Sequence, residues 1–235
     1  METKMENLLP VMLRLAGQKV VVVGGGEVAF QKVTQLLECD ACVTVVSPKL
    51  GWELATLNRR FYWKQKEYEP ADLEGAVIVF ACTDDPSVND RVYRDCQERG
   101  LWCNVADDPE RCRFFMPALF RRGPVTVALS TSGTSPSLAR RMRIFLEEIF
   151  GDGFGMLAFL LGDLKETIRQ ALPSFSDRRL FMDRVWNSPI WDLLEKGDRQ
   201  GAENLLKSIL SELTLKPADQ EASQDTVKSP AESAI

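Results

Sequence analysis

Histidine does not occur in the 235 residues of this chain, and that absence removes several chemistries at once. Ser-His-Asp and Cys-His nucleophile schemes and histidine-bound zinc are excluded. Any general acid, base or metal ligand has to be a carboxylate, thiolate, lysine, tyrosine or alcohol. No apolar run reaches the ~18 residues of a membrane span. The start, Met1-Glu2-Thr3-Lys4-Met5-Glu6, lacks the apolar core of a secretion signal. Both features predict a cytoplasmic protein with no membrane partner. Strong net charge of either sign is missing too: a net charge of −5 with 27% charged residues argues against a nucleic-acid-binding surface, while leaving room for local basic patches. Cysteine occurs six times, but Cys39-Asp40-Ala41-Cys42 is the one C-x-x-C, and no second pair completes a four-thiolate zinc site. Small buried residues are the simpler reading, and no protein-held metal is expected. There is no internal repeat.

What the chain does have is Val20-Val21-Val22-Val23-Gly24-Gly25-Gly26-Glu27-Val28-Ala29, an apolar strand ending in G-x-G-x-x-A and running into a helix. In this pattern Gly24 permits the tight turn, Gly26 lets the backbone approach a pyrophosphate, and Ala29 allows close helix packing. The helix N-terminus then offers free N–H groups to the anion. Val28, Val33, Leu36 and Leu37 recur at helical spacing, and Cys42 to Val46 supplies the next strand of a βαβ unit.

Strand and helix signals alternate through the first ~105 residues, with strands expected at 19–23, 42–46, 60–65, 76–80 and 101–104 and a helix from Asp85 to Arg99. Near residue 110 the order changes. Arg113 to Pro117, Ala118 to Phe120 and Val125 to Ser130 read as consecutive short strands, a region of antiparallel pairs suited to dimerisation. From Ser135 the pattern is helical, with Leu138, Met142, Phe145 and Ile149 as an apolar stripe and further helices near 154–172, 176–186 and 198–213. The last twenty residues have almost nothing to bury and read as disordered. The expected architecture is α/β: a Rossmann-type parallel sheet in residues 1–110, a central antiparallel dimerisation and substrate region in 111–149, a helical domain in 150–215, and a tail in 216–235.

Ligands in such a sheet collect beyond the carboxyl ends of the strands. Candidates for cofactor contact are therefore Gly24, Gly26, Glu27, Val28, Ser47, Pro48, Lys49, Thr83, Asp84 and Asn104. The acid expected ~20 residues after the glycines to bind the ribose 2′-hydroxyl is missing. Ser47 could serve the ribose and Lys49 could tolerate a 2′-phosphate, which leaves NAD favoured over NADP by a small margin. Thr83 and Asp84 close one wall of the site or cap the helix before Pro86, and the two roles are compatible. Asp107 and Asp108 follow the fifth strand, either as a proton acceptor beside the nicotinamide or as a solvated Asp-Asp-Pro turn. The run Ser130-Thr131-Ser132-Gly133-Thr134-Ser135 opens a helix bearing Arg140, Arg141 and Arg143, either as a holder of carboxylates or as a capped helix with a solvated basic face. Seven arginines fall within 33 positions here, which suggests a polyanionic ligand.

Gly24-Gly25-Gly26-Glu27-Val28-Ala29, Ala81-Cys82-Thr83-Asp84-Asp85, Asn104-Val105-Ala106-Asp107-Asp108, Phe114-Phe115-Met116-Pro117-Ala118 and Ser130 to Pro136 together resemble, in order and spacing, the precorrin-2 dehydrogenases of siroheme biosynthesis. The resemblance covers about residues 7–150. It implies NAD-dependent oxidation of precorrin-2 to sirohydrochlorin and, in some relatives, insertion of ferrous iron as a second substrate to give siroheme. By the same resemblance nucleotide contacts fall on Glu27, Val28, Pro48 and Lys49, and the aspartate implicated in dehydrogenation, and in chelation where that occurs, matches Asp107. The family's serine-rich loop matches Ser130 to Ser135, with Arg140 beyond it as a further substrate contact. Relatives form homodimers through the central strands, and the chain reads as a free-standing member. The competing expectation from another class is an NAD-binding redox-sensing domain that binds nucleotide without turnover.

Overall fold

β1 (Lys19–Val23) is valine at four of its five positions, and all four are buried. Val20 and Val22 enter one apolar core while Val21 and Val23 enter another. A strand apolar on both faces needs cover on both sides, the condition of a parallel sheet between helical layers. The computed structural model describes residues 7–57 and 60–215, so the expected tail of 216–235 lies outside the described residues.

The chain continues through α1 (Glu27–Leu37), β2 (Cys42–Val46), α2 (Trp52–Thr56), β3 (Tyr62–Lys64), β4 (Ile78–Ala81), α3 (Pro86–Glu98) and β5 (Trp102–Val105). The five strands are parallel in the order β3-β2-β1-β4-β5. Connections from β1 run outward one way to β3, and the chain then crosses to β4 on the other side. The carboxyl ends of β1 and β4 therefore flank the switch point where this fold accepts ligands. α1 seals one face with Ala29, Val33, Leu36 and Leu37, and α3 seals the other with Val92 and Cys96.

Two departures from the sequence reading have local causes. Residues 113–117 form no strand, because Arg113 N–H donates to the Cys103 carbonyl at the sheet edge while Phe114 packs edge-on against Phe80. α2 is only five residues long, too short for its periodicity to register.

β6 (Ala118–Arg122) and β7 (Val125–Leu129) form a separate two-stranded sheet. Gly123-Pro124 is their whole connection, which only an antiparallel hairpin allows. α4 (Pro136–Ile149) follows, then α5 (Asp152–Asp163), α6 (Lys165–Ala171), α7 (Phe175–Trp186), α8 (Ile190–Glu195) and α9 (Arg199–Thr214). The helix expected over 154–172 is broken at Leu164, and the six-residue α8 was not foreseen. Leu157, Leu160, Phe181, Val185, Ile190 and Leu206 make the helical core. Ser174 caps α7 by accepting the Asp177 N–H, and Asp198 caps α9 by accepting that of Gly201.

The molecule divides into two compact units. One holds the chain up to Ala118 together with Ser130–Ala139, the other Leu119–Leu129 and the chain from Arg140. On α4 the stripe of Leu138, Met142, Phe145 and Ile149 is exposed at 41–59%.

One buried charge anchors the first unit. Asp72 is 1% exposed, accepts the Glu69 N–H at 3.0 Å, and pairs with Lys64 at 2.8 Å and Lys66 at 3.2 Å. Burial pushes its carboxyl up, but Lys64, the Glu69 N–H and Lys66 outweigh this and hold it below the ordinary carboxylate value. A depressed folded-state pKa gives stability that is complete above the unfolded value near ~3.9 and is lost as pH falls through the lower folded one. Asp72→Asn is expected to cost about 2 kcal/mol at pH 7. In urea titrations the gap to wild type should close in acid below the ordinary aspartate range; a pH-independent gap would contradict this account.

Candidate nucleotide and substrate site

The glycine loop is shaped by its neighbours in the sheet. Gly24 N–H donates to Val46 O at 3.0 Å and Cys82 N–H donates to Val23 O at 2.8 Å, so the ends of β2 and β4 grip the end of β1. Gly24 sits at φ +124°, and a Cβ there would lie 2.3 Å from the Cys82 carbonyl oxygen. Gly25, which the sequence reading left without a role, is equally constrained: a Cβ would meet Lys49 O at 2.1 Å and Ser47 Oγ at 2.7 Å. Its carbonyl accepts the Gly51 N–H at 2.7 Å. Gly26 differs, since a Cβ there would meet nothing within 4 Å. Two glycines thus serve packing against protein, and the third leaves open the space in front of the α1 N-terminus. Glu27 and Val28 are exposed there, while Ala29 is fully buried against the core. This cradle fits a dinucleotide pyrophosphate.

After β2, Ser47 is buried and its hydroxyl donates to Lys49 O at 2.7 Å, while Trp63 Nε1–H donates to Ser47 O at 2.9 Å. The Ser47 side chain therefore shapes the turn that presents Pro48 and Lys49, both exposed. A carboxylate does stand nearby: Glu53 Oε2, on α2, is 3.5 Å from where a Cβ on Gly51 would be, beside the glycine loop. No spacing rule applied to the sequence selects it, because it comes after an intervening turn.

After β4, Asp85 caps α3, accepting the Ser87 N–H at 2.8 Å and the Ser87 hydroxyl at 2.7 Å. These bonds lower its pKa. Buried Asn89 clamps Thr83, accepting its N–H at 3.1 Å and donating to its carbonyl at 2.9 Å. The wall beside the glycine loop is thus fixed by a helix residue, and Asp84 is exposed on it. Burial pushes the Cys82 thiol up to about 12, with Lys32 lowering it and Asp107 and Cys112 raising it. The Asp107 charge is therefore felt at the residue that abuts Gly24.

Beyond β5 the two adjacent aspartates separate in role. Asp108 pairs with Arg111 at 3.2 Å, and Arg111 pairs with Asp90 on α3 at 3.0 Å and lies over the Tyr93 ring. Asp107 is exposed at φ +59° with no hydrogen bond or ion pair among the described residues. Asn104 is buried, and its amide donates to Phe114 O at 2.9 Å and toward Cys112 Sγ at 3.4 Å.

In the serine-rich loop most hydroxyls hold the loop itself. Thr131 Oγ1 accepts the Ser135 N–H at 3.2 Å, Thr134 Oγ1 donates to Thr131 O at 2.6 Å, Ser130 Oγ accepts the Ser132 N–H at 3.0 Å, and Ser135 Oγ accepts the Leu138 N–H at 3.3 Å as a cap of α4. Ser132 and Gly133 form the crest, both at positive φ. Of the seven arginines, Arg111, Arg122 and Arg143 are engaged with carboxylates of the chain. Arg113, Arg140 and Arg141 are exposed.

This geometry defines a class: a dinucleotide-binding Rossmann unit with an acid at the end of its fifth strand, in a chain that continues into a helical unit. Residues 11–118 match the model of an NAD(P)-binding family, and residues 153–210 match the sirohaem synthase dimerisation region. Siroheme synthase 2 of Aeromonas hydrophila is 40% identical over 207 residues, covering 88% of this chain and 44% of the relative. The siroheme synthase of Methylobacillus flagellatus is 38% identical over 205 residues, covering 86% and 44%. Among solved structures, the precorrin-2 dehydrogenase SirC superposes with a TM-score of 0.68 at 24% identity, over 87% of this chain and all of that one, which shows a shared fold. The chain is similar to siroheme synthases over most of its own length, and it spans less than half the length of the curated relatives it matches.

The three glycines should separate on substitution. Gly24→Ala, strained at positive φ and blocked by the Cys82 carbonyl, is expected to destabilise the protein by more than about 2 kcal/mol. Gly26→Ala is expected to leave the melting temperature within about 2 °C while weakening NAD binding at least ~tenfold, because its methyl occupies only ligand space. Calorimetric titration and thermal melts check both; equal loss of stability in the two variants would refute the assignment.

Proposed function

We propose that the chain catalyses the NAD-dependent oxidation of precorrin-2 to sirohydrochlorin, with ferrous iron insertion into sirohydrochlorin as a further reaction of the same site. The observation that carries this reading is the exposed, unpartnered Asp107 at the carboxyl edge of the sheet, one strand beyond the β1–β4 switch point that carries the glycine cradle. The two matched regions support it, as do the names of the relatives.

NAD, when bound, supplies the hydride acceptor. The chain's part is to hold and orient. The α1 N-terminus and Gly26 receive the pyrophosphate, Glu27 and Val28 flank it, and Pro48 and Lys49 line the ribose side with the Ser47-shaped turn. Thr83, Asp84 and Asn104 form the wall behind. Asp107 accepts the proton that leaves the macrocycle as hydride departs, and in iron insertion it accepts protons from the pyrrole nitrogens. Glu53 beside the loop favours NAD over NADP, since a carboxylate there repels a 2′-phosphate. Substrate carboxylates are received by Ser132 and Gly133 at the crest of the Ser130–Ser135 loop and by Arg140. The division of labour follows the sequence: 1–110 for nucleotide, 111–149 for dimerisation and substrate, 150–215 as the helical part. The reaction is assigned to the cytoplasm, in keeping with six cysteines of which none forms a disulfide.

We assign the working form as a homodimer. A lone two-stranded hairpin is marginal by itself, and the exposed stripe of α4 is an apolar surface without cover in one copy. Phe145→Glu is expected to convert the dimer to monomer in light scattering at micromolar protein; an unchanged mass would remove α4 from the interface.

Turnover is tested by following sirohydrochlorin absorbance with precorrin-2 and NAD. Folded, NAD-binding protein that gives none would favour the redox-sensing reading instead. Asp107→Asn keeps a residue that tolerates positive φ, and is expected to lower kcat by ~100-fold or more with NAD affinity unchanged. Anaerobic iron insertion at equal rates with and without protein would limit the enzyme to dehydrogenation.

A further inference from the structure

β5 is an edge strand, so the main-chain groups that face away from β4 need partners from outside the sheet. Three of them, the Cys103 carbonyl and both main-chain groups of Val105, find partners in residues 112–113. Arg113 N–H donates to Cys103 O at 3.0 Å. One thiol serves the next outward-facing residue: Cys112 Sγ lies 3.3 Å from both the N–H and the carbonyl oxygen of Val105, 3.2 Å from Asp108 O and 3.4 Å from the Asn104 amide. A thiol carries one hydrogen and can also accept, which lets it act toward an N–H and a carbonyl at the same time. Burial raises the Cys112 pKa and the nearby Asp108 adds to this, against the lowering effect of the Val105 N–H, so the hydrogen is retained at neutral pH.

Between Val105 and Cys112 the chain makes a turn at 106–107 and then one turn of 3-10 helix, Pro109–Arg111, with Asp107 at φ +59° in the first of them. The second is tied to α3 through Arg111 and Asp90. With both feet held, the turn leaves Asp107 as the carboxylate that points to no protein partner among the described residues. We propose that Cys112 is a positioning residue for Asp107, its thiol standing in for a neighbouring strand at the edge of β5 and so fixing the turn that presents the carboxylate. The proposal rests on the reading of Asp107 as the acid–base group. Alanine in this place would fill part of the space but supply neither donor nor acceptor; serine supplies both.

Three variants of the full chain test it: Cys112→Val, which keeps the bulk, Cys112→Ser, which keeps the bonding, and Cys112→Val combined with Asp107→Asn. The valine variant is expected to lower kcat by ~10- to 100-fold, with KM for NAD within about twofold of wild type. The serine variant is expected to recover most of that loss. In the Asp107→Asn background the valine substitution should have almost no further effect, because the group it positions is gone. Amide exchange at Val105, measured without substrate, should quicken at least ~tenfold in the valine variant and return toward wild type with serine. Equal kcat in valine variant and wild type, equal impairment by valine and serine, or additive losses in the double variant would each overturn the proposal. An inactive wild type would count against the enzymatic reading alone, while unchanged Val105 exchange would still reject the role of the thiol.

Discussion

Everything at this site depends on how closely β4 can approach the end of β1. The Cys82 carbonyl oxygen sits where a side chain on Gly24 would begin, and the Cys82 N–H is bonded to Val23 O. A main chain this close on one side and the Ser47–Lys49 turn equally close on the other leave room for two glycines and nothing larger. The third glycine faces outward, and the opening in front of the helix is what remains once the first two contacts are satisfied. The opening is therefore shaped by main-chain packing and sheet register, without long side chains.

Much of this could be read from the residues. The starts and ends of all five strands came out within two residues, and those of β1 and β2 to the residue, because valine-rich runs bounded by glycine or Ser-Pro have one good reading. Asp85-Pro86-Ser87 marked the start of α3 through its cap. What escaped is instructive. Gly25 was passed over because the pyrophosphate motif assigns work to the first and third glycines, whereas its own constraint comes from a turn more than twenty residues away. Spacing alone does not separate Asp108 from Asp107, which only the resemblance singled out; the position of Arg111 between Asp90 and Asp108 separates them physically. Arginine clustering was legible as charge, but Arg111, Arg122 and Arg143 among them pair with carboxylates of the chain itself. Hydroxyl-rich sequence overstated the free donors of the loop at 130–135, since such side chains close their own turns first.

The helical unit is held by ordinary means, apolar helix faces closed over Phe181, Ile190 and Leu206 with side-chain caps at α7 and α9. It matches a dimerisation region, as the nucleotide unit matches an NAD(P)-binding family. The stripe of α4 was read as apolar, and it is exposed in one copy. Helical periodicity reports that a face is apolar and is silent on whether the same copy or another buries it.

The sulfur and main-chain bonds along β5 have an effect beyond the turn they hold. They occupy the Cys103 carbonyl and both outward groups of Val105 on the last strand, and at the opposite margin β3 has just three residues and ends in Lys64. Neither margin offers a long run of open donors and acceptors to a passing chain. Copies of this protein are thereby steered away from joining sheet to sheet, a route that has no natural stopping point and leads to fibres, and toward contacts between apolar surfaces that close after a defined number of subunits.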